Sequence, residues 1–350
     1  MIAASTHTGQ LAGQHGGEWP RQRWQQALAD AVSSAAELCE ILGLDPALAV
    51  PASRVEGFPL RVPRGFVARM RRGDPRDPLL LQVLPTGAES MAVAGFVTDP
   101  VGDKASRAGT GVLHKYQGRA LLIATGACAI HCRYCFRRHF PYAEDSALAD
   151  GWRGAIDHLQ SDPSISEVIL SGGDPLSLSD RRLAQLTDTL LRVPHVRRLR
   201  IHTRQPIVLP ERVDAGLLKW LSDLPLQKVM VLHANHANEI DAQVAAACRD
   251  LLACNVTLLN QSVLLAGVND SVDALAQLSE ALMAINVLPY YLHLLDRVQG
   301  AAHFEVDEAT ALRLHAGLLE RLPGYLVPRL VREVPGAPSK TPVTFAGGGC

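Results

Sequence analysis

From Gly118 onward, short β-rich runs alternate at nearly even spacing with helix-like segments, and no other feature of the chain restricts its fold so strongly. The β-rich runs fall at 119–125 (RALLIAT), 166–170 (SEVIL), 197–203 (RRLRIHT), 227–233 (QKVMVLH), 255–261 (NVTLLNQ) and 287–294 (VLPYYLHL). Helical patterns separate or follow them near 147–160, 179–192, 211–223, 239–253, 271–285 and 306–321. This alternation predicts parallel strands joined by right-handed crossovers. Six such units build an open doubly wound sheet or an incomplete barrel. No GxGxxG follows the first strand, which weakens the dinucleotide-binding version. A last run, 325–334 (YLVPRLVREV), is expected as an edge strand.

Upstream the pattern is different. Residues 1–18 are small, polar and Gly-rich, and are expected to be poorly ordered. Trp24, Leu28, Ala31, Val32, Ala35 and Leu38 then recur at helical spacing. From Pro51 to Val112 the chain is broken by Pro, Gly and Asp, as a short helix and ordered loops wrapping something larger would be. The expected organisation is thus 1–18, a helical and wrapping segment over 19–112, a β/α core over 113–322, and a C-terminal segment over 323–350. With 47% hydrophobic and 20% charged residues the composition is that of a globular protein. A net charge of -1 gives no reason to propose a nucleic-acid or anionic-membrane partner. No apolar run approaches the roughly 20 residues of a spanning helix, and none resembles a signal h-region, so a cytoplasmic location is expected.

Residues suited to chemistry gather where the parallel strands end, the usual ligand face of such sheets. Cys128, Cys132 and Cys135 follow the first strand; Ser171, Gly172, Gly173 and Asp174 follow the second. His202 and Arg204 end the third, His233 and Asn235 the fourth, Asn260 and Gln261 the fifth, and Asp296 the sixth. The chain has seven cysteines, an odd number that argues against a disulfide framework. The spacing Cys128-x3-Cys132-x2-Cys135 offers three thiolates in one tight loop. Three thiolates can hold three irons of a 4Fe-4S cluster and leave the fourth iron open to a small molecule. A zinc site completed by His131 or His139, or unliganded cysteines, is the alternative.

CAIHCRYC, at 128–135, resembles the cysteine motif of the radical S-adenosylmethionine (radical SAM) enzymes. HKYQGRALLIATGACAIHCRYCFRRHFPY, LSGGDPL, HANHANEID, TLLNQSVLLAGVND, PYYLHLLDRVQGAAHF and GYLVPRLVREVPGAPSKTPV are similar to the lysine 2,3-aminomutase family within that class, from about Trp24 to Val343. The resemblance implies an α/β fold: a partial (β/α)6 radical SAM barrel with an N-terminal helical and loop extension and a short C-terminal segment. It also implies an isomerase in which the open iron chelates S-adenosylmethionine. An electron from a donor such as flavodoxin or ferredoxin then breaks a carbon–sulfur bond to give a 5′-deoxyadenosyl radical. Ser171, Gly172, Gly173, Asp174 and His233 correspond to the S-adenosylmethionine side, the two glycines letting backbone approach the ligand closely.

Moving an amino group from C2 to C3 calls for pyridoxal phosphate on a lysine, and the match is Lys340. Its phosphate corresponds to Lys115, Arg119, Asn260 and Gln261, with Lys115 standing where the family has arginine. The implied substrate is L-lysine. Arg137 matches the residue for its α-carboxylate, and Asp296 and Glu333 match the acids for its ε-ammonium; the longer members have aspartate where Glu333 stands. The short members make β-lysine for elongation factor P, which makes that factor and its lysyl ligase the implied functional partners. Two other readings remain at this point. The enzyme could act on another amino acid, although glutamate would want a cation where Asp296 and Glu333 stand. Alternatively, the chain is a cluster- or zinc-stabilised module that binds the translation factor without catalysis.

Overall fold

A computed structural model describes residues 23–48, 58–142 and 151–345. The expectation of disorder over 1–18, the start of the helix expected near 147 and the cysteine at 350 lie outside these residues. Among the described residues ten strands form one sheet in chain order. They are β1 (Arg107–Gly109), β2 (Val112–Tyr116), β3 (Arg119–Thr125), β4 (Glu167–Gly172), β5 (Arg198–Thr203), β6 (Gln227–Leu232), β7 (Val256–Val263), β8 (Leu288–His293), β9 (Arg329–Arg332) and β10 (Thr341–Pro342). Neighbours from β3 to β9 run parallel. β1, β2 and β3 form an antiparallel meander at one end, and β10 pairs antiparallel with β9 at the other.

The sheet is therefore longer than the six strands and one edge strand expected. The 325–334 run forms a seventh parallel strand rather than the edge, which β10 occupies. β2 and β3 turn through Gln117 and Gly118, the latter at φ +77°, a left-handed conformation that favours glycine.

Helices α1 (Arg23–Ala29) and α2 (Ala35–Leu42) open the described chain, followed by the single turns α3 (Arg64–Val67) and α4 (Pro78–Leu81). The single helix expected across Trp24–Leu38 is thus two. Its periodicity spans a break at which Val32 pairs with Val62, N–H to O at 2.8 Å, and Ser34 caps α2. The crossovers carry α5 (Arg153–Ser161), α6 (Asp180–Leu190), the single turn α7 (Gln205–Val208), α8 (Ala215–Asp223), α9 (Ala242–Ala253), α10 (Val272–Ala284) and α11 (Glu308–Arg321). Asp214, Asp241, Ser271 and Asp307 accept backbone N–H groups at the starts of α8 to α11.

Alternation along the strands decides what faces what. In β5, Leu199, Ile201 and Thr203 are buried, while Arg200 and His202 between them line a cavity. Leu159, Leu183, Leu217 and Leu251 from the helices join Leu199, Ile201, Leu170 and Met230 from the strands in the main apolar core.

The wrapping segment has a definite object: it grips the cysteine loop. Arg133, fully buried, donates through Nε and Nη2 to both oxygens of Glu89 at 2.8 and 2.5 Å, and Arg138 donates to Glu89 Oε2 at 2.8 Å. The ring of Phe58 lies 4.9 Å from both guanidinium carbons. The backbone N–H groups of His131 and Arg133 are received by Arg61 O and Gln82 O at 3.0 and 2.9 Å.

Candidate active site

The C-terminal ends of the parallel strands open on a cavity of about 580 Å³, a size usual for small-molecule sites. Its wall takes Cys128, Cys132 and Cys135 from the loop after β3, and Ser171 to Asp174 from the end of β4. His202 comes from β5, His233 from just after β6, Gln261 from β7, and Asp296 from just after β8. Glu333 and Lys340 come from the C-terminal segment, and Lys115, Arg119 and Arg137 complete the wall. Nearly every residue singled out in the sequence is brought to this one cavity.

Asn235 and Asn260 are exceptions: Asn235 is spent on Gln82, Tyr134 and the Val263 N–H, and Asn260 turns away. It is buried away from the cavity, where its amide accepts the Ala234 N–H at 2.9 Å and donates to Ala234 O at 3.0 Å and Ser262 Oγ at 2.9 Å. Successive residues of a strand face opposite ways, so of the Asn260–Gln261 pair only Gln261 reaches the cavity.

The thiols of Cys128, Cys132 and Cys135 are free. Burial, then the neighbouring Cys135, Asp174 and Cys132, hold the Cys128 thiol well above its usual range. Burial and Cys132 push Cys135 up to about 11. Iron taken up here would displace those protons. Among the described residues no three His, Cys, Asp or Glu side chains are placed to hold a single metal ion. Three free thiols along one cavity wall fit a cluster that takes one thiolate per iron. His131 and His139, the fallback zinc ligands, instead place ring nitrogens 2.9 Å from Pro59 O and 3.2 Å from Gln299 O.

The glycines at the end of β4 line the cavity and also pack against the cysteine loop. A Cβ on Gly172 would lie 2.6 Å from Thr125 O, and one on Gly173 would lie 2.5 Å from Ala127 O. The absent side chains let the β4 end lie against the backbone leading to Cys128, with Gly173 N–H to Thr125 O at 2.6 Å and Asp174 N–H to Ala127 O at 2.8 Å. Asp174 also faces inward. Its carboxylate receives Thr203 Oγ1 at 2.7 Å and the N–H groups of Leu176, Arg204 and Gln205, tying the ends of β4 and β5 together.

Opposite charges line the cavity in a continuous series. Ser171 Oγ receives Arg137 Nη1 at 2.9 Å, and Arg137 Nε donates to Asp103 Oδ2 at 2.7 Å. Lys115 Nζ lies 2.7 Å from Asp103 Oδ1, 2.7 Å from Val101 O and 3.8 Å from Glu333 Oε1. Glu333 then accepts the Tyr116 hydroxyl at 2.5 Å and Lys340 Nζ at 2.9 Å. The Arg119 guanidinium covers the Tyr116 ring at 4.6 Å. Burial acts to raise the Glu333 and Asp103 carboxyls, but the cations around them prevail and hold both below the usual range. Asp103 and Tyr116 were invisible in the sequence, because nothing in its spacing joins Asp103 to Arg137.

Asp296 stands apart: no hydrogen-bond or ion-pair partner holds its carboxylate among the described residues. Burial, opposed by Lys340 and reinforced by Glu333, pushes it up to about 7. A carboxylate in a cavity without a cation of its own fits a cationic ligand group. For a phosphate-bearing cofactor, Arg119, Arg200, Arg329 and Gln261 on the same wall provide cations and an amide, and Lys340 provides the amine.

The imidazole of His233 is neutral, its pKa held near 3 by burial and then by Arg204. Its Nε2 lies 2.8 Å from the Tyr134 hydroxyl. That hydroxyl receives N–H donors from Arg204 at 2.8 Å and Asn235 at 2.7 Å, and Gln82 Oε1 at 3.2 Å stands beside His233 Nε2 as an acceptor for its own proton. His202 and His293 are held well below their usual range by burial, and among the described residues each keeps a buried Nε2 without a partner, which suits a polar ligand.

A three-cysteine loop at the head of a parallel β/α sheet, gripped from outside and open to one cavity, is the arrangement that the resemblance to radical SAM enzymes implies. No family model matches the chain. It is 48% identical over 325 residues to L-lysine 2,3-aminomutase of Escherichia coli (strain K12), spanning 92% of this chain and 95% of that protein. It is 46% identical to the Haemophilus influenzae protein of the same name, over 91% and 95% of the two chains. With that of Clostridium subterminale it shares 33% identity over 93% of this chain and 78% of the other. The chain belongs to the L-lysine 2,3-aminomutase family, whose members are isomerases. Likeness to solved structures is distant: a radical SAM methyltransferase from Sphaerobacter thermophilus gives a TM-score of 0.44 at 16% identity, over 63% of this chain and 68% of that one. No helix among the described residues is long and apolar enough to cross a membrane.

Proposed function

We propose that this enzyme converts L-lysine to β-lysine by moving the amino group from C2 to C3. It would use a 4Fe-4S cluster on Cys128, Cys132 and Cys135, S-adenosylmethionine beside it, and pyridoxal phosphate on Lys340. The observation that carries this reading is the unpartnered Asp296 carboxylate in the same cavity as Arg137, Lys340 and the three thiols. When bound, the cluster with S-adenosylmethionine supplies radical initiation, and pyridoxal phosphate stabilises the migrating nitrogen.

The chain's own residues bind and orient. Arg137, fixed by Asp103 and Ser171 through Nε and Nη1, keeps Nη2 without a partner among the described residues and turns it to an α-carboxylate. Asp296 receives the ε-ammonium. Glu333 holds the Lys340 amine in the cavity, and Arg119 and Gln261, with Lys115 behind them, face the cofactor phosphate. His233 and the backbone of Ser171 to Gly173 face S-adenosylmethionine. Asp174, spent on β4 and β5, acts as a brace.

The wider setting rests on the resemblance of the chain's motifs: β-lysine passed to a lysyl ligase for elongation factor P, in the cytoplasm, with flavodoxin or ferredoxin as electron donor. The test is anaerobic reconstitution with iron, sulfide and pyridoxal phosphate. The protein is then reduced with S-adenosylmethionine and supplied in turn with lysine, ornithine and glutamate, the products being identified by mass spectrometry. β-Lysine from lysine is the expected product. Preferential turnover of glutamate, or no product from a fully loaded protein, overturns the reading.

A further inference from the structure

Arg204, immediately after β5, is 6% exposed and sits at the centre of a polar network for which the proposed function has no use so far. Its Nη1 lies 2.7 Å from Cys132 Sγ and 2.8 Å from the Tyr134 hydroxyl. Its Nη2 lies 2.6 Å from Gln82 Oε1 and 2.9 Å from Glu239 Oε2. Its backbone N–H is held by Asp174 at 2.7 Å, and the rings of Phe66 and Tyr134 lie 5.6 and 5.8 Å from the guanidinium carbon. The guanidinium is therefore fixed from several sides, with one arm directed at sulfur.

Glu239 already balances the charge of Arg204, so neutrality does not require the arm on Cys132. A neutral thiol is a weak acceptor and offers little to a buried cation, whereas a cluster thiolate carries negative charge and accepts strongly. Hydrogen bonds to the sulfurs and nearby charge are among the factors that set an iron–sulfur potential, because they favour the more negative, reduced state.

We infer that Arg204 is a positioning residue for the cluster, holding the Cys132 thiolate through an N–H···S bond and raising the cluster's reduction potential. The inference rests on the cluster assignment proposed above. Through Tyr134 the same guanidinium is linked to His233, so the cluster ligand and the S-adenosylmethionine side are braced by one residue. The carriers are Gln82 from the wrapping segment and Glu239 from the β6–α9 connection, which places the origin of the tuning outside the cysteine motif.

The test uses full-length protein reconstituted anaerobically, with iron and sulfide quantified and the cluster potential titrated by electron paramagnetic resonance. Arg204→Lys and Arg204→Gln should hold a cluster whose reduced-to-oxidised ratio at fixed poise falls at least tenfold, a downward shift of 59 mV for one electron. A variant with full iron content and an unmoved potential overturns the inference. A second measurement needs no variant: in protein labelled with 15N-arginine, the reduced cluster should show a weak nitrogen coupling by pulsed resonance. Absence of that coupling overturns the inference, as does its survival unchanged in Arg204→Lys. If the unsubstituted protein takes up no four-iron cluster, the cluster assignment itself fails, an outcome distinct from a loaded protein that ignores Arg204.

Discussion

Replacing Asp296 by Asn should make the ligand-free protein more stable while crippling its use of lysine. The side chains are nearly the same shape, and no donor among the described residues bonds to the carboxylate, so the substitution breaks nothing in the empty cavity. Burial, offset by Lys340 and Lys115 and reinforced by Glu333 and Asp103, raises the carboxyl from 3.8 to about 7. Between those values the folded chain keeps a proton that the unfolded chain has lost, so stability falls as pH rises through that window. At 1.36 kcal/mol per unit the ceiling is about 4 kcal/mol, and the group's opening to the cavity lowers this to ~1–3 kcal/mol. Asparagine does not ionise, so at pH 8 the ligand-free variant should melt several degrees above the parent.

Lysine use should move the other way. Removing one partner of a buried charge pair costs about 3–5 kcal/mol, or roughly two to four powers of ten in kcat/KM. The parent's kcat/KM should also fall about tenfold per pH unit below about 7, as Asp296 in the free enzyme takes a proton, and the variant should lack this limb. The assay is β-lysine formation against lysine concentration from pH 6 to 9, with iron and pyridoxal phosphate measured in the same samples and thermal unfolding run without ligands. A variant with parental kcat/KM, or one that loses stability at pH 8, refutes the assignment of Asp296 to the substrate ammonium.

Alanine at Cys128, Cys132 or Cys135 should each abolish the brown 4Fe-4S absorbance and S-adenosylmethionine cleavage. Alanine at the core cysteines Cys39 and Cys248 should leave both intact. Lys340→Ala should end covalent retention of pyridoxal phosphate after borohydride and end β-lysine formation, while dithionite-reduced protein still cleaves S-adenosylmethionine; a retained covalent adduct would place the cofactor on another lysine. Gly173→Ala puts a methyl 2.5 Å from Ala127 O and 2.7 Å from the Gly126 carbonyl carbon, against backbone on both counts. It should destabilise the fold by about 1–3 kcal/mol and lower iron retention several-fold. Gly65→Ala, with nothing within 4 Å of the new methyl, should leave iron content unchanged.

The parallel strands and their crossover helices were readable because periods of 2 and 3.6 are local properties, and every β-rich run from 119 to 294 became a strand within two residues at either end. The same locality misled at two places. Trp24 to Leu38 keeps helical spacing across a break made by a partner 30 residues away, Val62. The antiparallel meander ahead of β3 was missed because its short strands lie among Gly and Asp, with the Gln117–Gly118 turn as the one local sign.

At the site, the sequence by itself determined which chemical groups are present: three thiols at cluster spacing, a lysine, and acids at strand ends. Only the tertiary structure decided which of them share a cavity and which partners set their charge. Asn260 was turned out by the strand pleat, Gly172 and Gly173 were laid against the backbone leading to Cys128 as well as along the cavity, and Asp103 was brought onto Arg137 and Lys115 from a segment with no motif. Arg204 was aimed at Cys132 by Gln82 and Glu239, which stand 122 residues before it and 35 after it. Residue identity and local period are written along the chain, but charge pairing and hydrogen bonding act through distances of a few ångströms, and folding alone establishes which distant residues come that close.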